Sequence, residues 1–300
     1  MVWMRIATIP ATLGLLAGLT LSLSAADPRP DVLVSTDWLA TRLDDPKLVL
    51  VHVAGEQKSY QAGHIPGARF LPWNELVTSR EGIWTELPAV ADLQRLFERL
   101  GVSDDTRVIL YGDSLVLAAA RAYFTLDYLD HGEHAALLDG GLEKWRAEGR
   151  AVSTQTPEWK PGRLTSHPRP GVAPDLEAVR NRAPGLILLD ARHAAEYAAG
   201  HIAGAINLFW MDGLLSKDNP VLRPIPELRR LYEAAGMPPG SRVVAYCWVG
   251  LQASESYIIL KYLGYEPALY DGSFTDWSSK GAPVVAGASP DPGPQNRNPG

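Results

Sequence analysis

"RVVAYCWVGLQASES", residues 242–256, carries the only cysteine of the chain, Cys247, at the end of an apolar run. A short loop containing Gly250 follows, and then a stretch compatible with a helix. Strand, glycine-bearing loop and helix form the repeating unit of a parallel α/β sheet. Such sheets place their ligands at the carboxyl ends of the strands, which is where Cys247 falls. A single cysteine cannot form an internal disulfide. It is therefore an inert buried residue, a link to another chain, or a reactive thiol, and its surroundings must decide.

Outward from this stretch, the chain repeats itself. "YQAGHIPGARFLPW" (60–73) matches "YAAGHIAGAINLFW" (197–210) at one constant offset. "RVILYGDS" (107–114) matches "RVVAYCWV" (242–249), and "LDGGLEKW" (138–145) matches "YDGSFTDW" (270–277). The order is the same in both halves, so a whole domain is duplicated rather than a short solenoid unit. In the second half, "GLILLD" (185–190) and "SRVVAY" (241–246) read as buried strands. "IPELRRLYEAAG" (225–236) reads as a helix stopping at Gly236, and "ASESYIILKYLGY" (253–265) as an amphipathic helix ending at Gly264. The fold class is α/β, with two tandem domains, each a mainly parallel sheet flanked by helices.

The domains are expected over 31–152 and 172–285. Between them, 153–171 is rich in proline and polar residues and reads as an extended linker. The tail 286–300 has little to bury and reads as disordered. Residues 1–26 combine Arg5, an apolar run from Ile6 to Leu23 and the small triplet "SAA". They read as a secretory signal cleaved after Ala26, with an uncleaved membrane anchor as the alternative. The mature protein is expected to be exported, to a periplasm or beyond, without stable membrane insertion. Composition is ordinary for a globular chain, at 46% hydrophobic and 21% charged. A formal net charge of −6 offers no basic face for nucleic acid. A monomer is the default, since the tandem domains can cover one another.

Duplication supplies an internal control: what both halves share serves the fold, and what one half alone carries is a candidate for chemistry. His64 and His201 recur and read as structural. The pairs Trp73/Trp210 and Trp145/Trp277 read as packing anchors, with Trp210 also able to line a pocket. Cys247 is different, because Gly112 stands at its position in the first half. Asp190 and Arg192 of "LLDAR" also lack counterparts, Val53 and Gly55 standing opposite them. They are either a mutual ion pair or direct participants at the site.

A thiolate is the nucleophilic form of cysteine, and helix N-termini lower its pKa. The loop "CWVGLQ" places Cys247 ahead of a helix start whose backbone N–H groups lack partners. Curled around the sulfur, they form an anion nest, with Gly250 allowing the curl. Such a nest suits a thiolate and a persulfide, Cys–S–S⁻. Phosphate-ester cleavage needs an arginine six residues after the cysteine, where Ala253 stands, so the bidentate phosphate grip is missing. Sulfur transfer needs no metal, no cofactor and no base on the nucleophile, and the sequence offers no persuasive metal-ligand or Ser/His/Asp set.

"LLDAR", "EYAAGHIAGAIN", "YCWVGLQAS" and "LYDGSFTDW", in that order, resemble the tandem-domain rhodanese family, the thiosulfate and 3-mercaptopyruvate sulfurtransferases. The similarity spans about 31–285. It implies a catalytic second domain, an inactive first domain, a persulfide on Cys247 and a cradle from Trp248, Val249, Gly250, Leu251 and Gln252. It also implies a small anionic sulfur donor and a thiophilic acceptor, either a small molecule such as cyanide or a protein. Thiosulfate-preferring members often carry cations just after the cysteine, and mercaptopyruvate-preferring members small residues and Ser or Thr. This loop has neither. "CxxGxQAS" with "DGSFxDW" is similar to a bacterial thiosulfate-type variant. Either Arg192 or Arg69, from the first domain, is available to neutralise donor charge. A carrier delivering sulfur or selenium to a protein partner is the reading from another functional class.

Overall fold

The computed structural model describes residues 27–113, 116–216 and 219–287. The proposed signal segment and residues 288–300 of the tail lie outside them. Each half is built on a parallel sheet. In the first, five strands run in the order Leu33–Val34, Ala135–Leu138, Arg107–Tyr111, Leu48–Ala54, Arg69–Pro72. In the second, four run in the order Ala205–Asn207, Ile187–Asp190, Arg242–Tyr246, Glu266–Leu269. All pairings within both sheets are parallel. The near-continuous apolar strands follow from burial on both faces. Tyr246 pairs with Asp190 in register, so Cys247 and Asp190 sit together at the carboxyl end of the second sheet's two inner strands.

The duplicated motifs repeat several of their hydrogen bonds. Tyr60 Oη donates to the Ala68 carbonyl at 2.7 Å, and Tyr197 Oη to Ala205 at 2.7 Å. His64 and His201 stack on these tyrosines and bond through Nδ1 to their carbonyls, at 2.8 and 2.9 Å. Trp145 Nε1 donates to Ala151 and Trp277 Nε1 to Pro283, both at 2.8 Å. The two histidines are therefore structural in both halves, and Trp145, Trp210 and Trp277 are buried anchors.

The helix after Cys247 differs from its expected form. It spans Leu251–Tyr262, starting two residues early, and is buried on nearly every side rather than amphipathic. One face covers its own sheet. Another packs on Val116–Tyr128 of the first half, with Phe124 edge-on to Tyr257 at 5.3 Å between centroids. Asp127 closes this seam, accepting from Tyr257 Oη, Lys261 Nζ and, at 2.7 Å, Arg169 Nη1. A single hydrophobic cluster consequently runs through both halves. At roughly 1.5–3 kcal/mol per fully buried large apolar side chain, the seam is part of the fold's stability rather than a loose contact.

Residues 154–169 contain no helix or strand, but they do not hang free. Trp159 Nε1 donates to the Arg99 carbonyl at 2.8 Å, and Thr165 N and Oγ1 donate to Asp104 at 2.7 and 2.8 Å. The segment is a strap laid on the first half. Two antiparallel hairpins, Thr78–Arg80 with Ile83–Glu86 and Leu214–Ser216 with Asn219–Leu222, and one antiparallel pair, His201–Ile202 with Val284–Val285, are added to the sheets. Each hairpin reaches across to the other half. Leu87 N donates to Asp271 at 2.6 Å, and Leu222 N to Asp139 at 3.1 Å. Asp139 and Asp271 are the matching residues of "LDGG" and "YDGS".

Candidate active site

The site is built at the end of the strand Arg242–Tyr246. Cys247 is wholly buried, and its chain turns at once into the helix Leu251–Tyr262. Gly250 makes the turn, with φ +83°, a left-handed conformation that side-chain-bearing residues resist. Its N–H donates to Cys247 Sγ at 3.1 Å. The N–H groups of Val249, Gln252 and Ala253 also act on the sulfur. The Gly250 N–H thus makes a hydrogen bond to the sulfur, and the neighbouring N–H groups favour its charged form, Ala253 contributing where the resemblance implied Trp248 and Leu251. The net effect on the thiol is opposite to the expectation, however. Burial pushes the Cys247 thiol up, and the four N–H groups offset only part of that.

The rest of the loop is held from several sides. Cys247 N donates to Ser273 Oγ at 3.2 Å, and Ser273 Oγ donates to the Tyr270 carbonyl at 2.7 Å. Gly250 packs against Asp271 so closely that a Cβ there would lie 2.7 Å from the Asp271 carbonyl oxygen. Trp248 is 39% exposed, and its Nε1 donates to Glu196 Oε1 at 2.7 Å. Glu196 Oε2 in turn accepts from His193 N at 3.1 Å, capping the helix Ala194–Ala199. Leu251 and Gln252 open the buried helix and are half-buried, with Gln252 contributing to the cradle through its N–H.

Asp190 and Arg192 are brought together as an ion pair. Arg192 Nε and Nη2 bond to Asp190 at 2.9 and 2.6 Å, and Nη2 also bonds to the Gly200 carbonyl at 2.7 Å. Both side chains are fully buried. The guanidinium stacks under Phe274 at 3.9 Å and Trp248 at 4.7 Å. Burial disfavours its charge, but Asp190 more than offsets this, so it remains an ion. Arg192 therefore supports the Trp248 ring from below instead of facing a donor in solvent. Arg69 does not reach the site. It donates to the Leu100 carbonyl and lies over Trp159, 5.3 Å from the ring centroid.

Sequence reasoning missed Ser273, Asp271, Glu196 and the first-half residues Thr85 and Arg121. Ser273 was within reach of the internal control, since Gly141 stands at its position in the first half. Thr85 belongs to no motif and becomes visible only once the halves dock. Among the described residues, no group of three or more His, Cys, Asp or Glu side chains is placed to hold a metal ion. Among them, too, no helix is long and apolar enough to cross a membrane.

Comparison with known proteins agrees with this architecture. The model of the rhodanese-like domain matches twice, over residues 35–148 and 174–280. A Thermus thermophilus protein named sulfur carrier protein TtuD is 35% identical over 294 residues, covering 86% of this chain and 98% of that one. A Pseudomonas aeruginosa thiosulfate sulfurtransferase is 32% identical over 252 residues, covering 80% and 92%. Among solved structures, wild-type EanB superposes with a TM-score of 0.77 at 22% identity, covering 86% of this chain and 70% of that one, a likeness of fold. With a rhodanese-like domain in each half and relatives of this kind across almost its whole described length, the chain belongs to the tandem-domain rhodanese family.

Proposed function

We propose that this protein moves sulfane sulfur from thiosulfate to a thiophilic acceptor through a persulfide on Cys247. The observation that carries the reading is the sole cysteine, buried at the carboxyl end of a parallel-sheet strand, with the Gly250 N–H donating to its sulfur at 3.1 Å as the chain turns into a helix. In the first step the Cys247 thiolate attacks the outer sulfur of thiosulfate. A new S–S bond forms, the old one breaks, and sulfite leaves with the electron pair. In the second step an acceptor such as cyanide attacks the outer sulfur. A C–S bond forms, thiocyanate departs, and the Cys247 thiolate is restored. The cradle favours the anionic sulfur in both resting forms by preorganised dipoles, with no reorganisation at the moment of transfer. The same proposal places the reaction outside the cytoplasm, from the character of residues 1–26, with cleavage after Ala26; recovery of the protein in the cytoplasm overturns the location, and an intact Met1 on the exported protein overturns the cleavage.

A second reading, delivery to a protein acceptor, is favoured by the 35% identity to a protein named a sulfur carrier and by the exposed indole of Trp248 on the loop. Thiocyanate formation from cyanide, with thiosulfate and 3-mercaptopyruvate as rival donors and Cys247→Ser as control, separates the readings. Cysteine-dependent turnover fastest with thiosulfate is the expected result. Preference for 3-mercaptopyruvate would reassign the donor. A persulfide that forms but is not discharged by cyanide would move the function to the carrier.

A further inference from the structure

The Val249–Gly250 peptide has a partner at each end. Its N–H donates to Cys247 Sγ at 3.1 Å. Its carbonyl accepts from Thr85 Oγ1 at 2.5 Å. A planar trans peptide points these two groups in opposite directions, so whatever holds the oxygen also aims the N–H. Thr85 lies on the strand Ile83–Glu86 of the first half, the half without a thiol, and is itself buried.

The Thr85 backbone is fixed in turn. The fully buried Arg121, from the helix Val116–Tyr128 of the first half, donates through Nη2 to the Thr85 carbonyl at 2.7 Å. Through Nη1 it pairs with Asp271, the residue packed against Gly250. The pseudo-symmetric contact lacks this arrangement. Both halves share the backbone-to-aspartate bond, Leu87 to Asp271 and Leu222 to Asp139. The hairpin strand matching that of Thr85, however, is Asn219–Leu222, which sets Pro220 or Val221 at the equivalent place, and neither has a side-chain donor. Ser256 stands where Arg121 does. What both sides share holds the halves together, and what only the thiol side carries is the grip on the peptide.

We propose that Thr85 is a positioning residue for the sulfur-transfer step: its hydroxyl holds the Val249–Gly250 peptide with the N–H toward the Cys247 sulfur. The first half thereby completes the cradle of the second. The proposal rests on Cys247 being the nucleophile. Charged groups facing this loop are Asp271 against Gly250, Arg121 behind it, Glu196 on the Trp248 indole and Arg192 beneath that ring.

The test is the pH profile of Cys247 alkylation by iodoacetamide in the full chain, where every alkylation event at cysteine reports on this one residue. Thr85→Val keeps the shape and removes the donor, and Thr85→Ser keeps the donor. Thr85→Val is expected to slow alkylation about 2- to 12-fold at any pH below the midpoint, the loss of roughly one neutral hydrogen bond, and to move the profile to higher pH. Thr85→Ser should restore it. Thr85→Ala, which opens space instead of substituting a methyl, should match Thr85→Val if the hydroxyl is the cause. A wild-type profile in Thr85→Val, or a Thr85→Ser profile no better than Thr85→Val, overturns the proposal. A Thr85-dependent profile in a protein that forms a persulfide but makes no thiocyanate would instead move the function to the sulfur carrier and leave the positioning role standing for persulfide formation.

Discussion

Replacing Gly250 by alanine tests the loop geometry most directly. Alanine at φ +83° carries the left-handed penalty, about 1–2 kcal/mol. Its Cβ would also lie 2.7 Å from the Asp271 carbonyl oxygen and 3.2 Å from Oδ1. Asp271 has little freedom to retreat, because Leu87 N and Arg121 hold its carboxylate from the first half. Overpacking of this kind costs about 1–3 kcal/mol more. The sum for Gly250→Ala is roughly 2–5 kcal/mol, shared between unfolding and a displaced loop. Gly281 separates the two contributions, since it has φ +67° and a Cβ there would meet nothing within 4 Å. Gly281→Ala should therefore lose only the left-handed penalty and keep its turnover. Denaturant midpoints and thiocyanate formation for both variants give the comparison. If Gly250→Ala proves no less stable than Gly281→Ala and transfers sulfur at the wild-type rate, the contact with Asp271 does not set the loop.

Three other outcomes follow from the same geometry. Burial, with Asp139 adding to it, pushes the Glu255 carboxyl from 4.5 up to about 8. Its folded value is raised, so the stability of the protonated form is fully present below about pH 4.5 and lost as pH rises through about 8; Glu255→Gln should flatten this loss, by at most about 5 kcal/mol, in denaturant melts at both ends of that window. Asp190→Asn leaves Arg192 buried without its counter-ion and should destabilise the fold by about 3–5 kcal/mol in the same melts, whereas a surface-like loss below about 1 kcal/mol would deny the pair its structural role. Because burial raises the Cys247 thiol, kcat/KM for thiosulfate should climb with pH through neutrality, and a plateau beginning in the acid range would contradict the balance drawn between burial and the N–H cradle.

Much of this was legible in the chain because duplication writes its own control. The strands around Asp190 and Tyr246, the structural histidines and the exceptional position of Cys247 all follow from matching one half to the other. The direction of the thiol's shift did not, because a helix start can be recognised from sequence but the depth at which it is buried cannot. The helix Leu251–Tyr262 shows why. Its Ser254, Glu255 and Ser256 mimic a polar face, yet all three are buried, because the helix is covered both by its own half and by the docked first half. Arg69 and Arg192 illustrate the same limit. Both are cations near sheet ends in sequence, and each is absorbed by a local carbonyl or carboxylate that no pattern announces.

The reciprocal hairpins explain why a half without a nucleophile matters to the half that has one. In each direction an aspartate at the end of a strand accepts a backbone N–H from the opposite hairpin, so the docking is held twice. On the side of Gly112 this contact braces a turn with no thiol, and Lys144 supplies the remaining charge to Asp139 at 3.2 Å. On the side of Cys247 the same contact is extended by Arg121 and Thr85 to the peptide that faces the sulfur. A backbone N–H is a useful donor to a developing anion only if its peptide cannot turn away. A loop pivoting on a left-handed glycine is the kind of backbone that needs such restraint. The restraint comes from the other domain, so the integrity of the cradle and the docking of the two halves are one structural property.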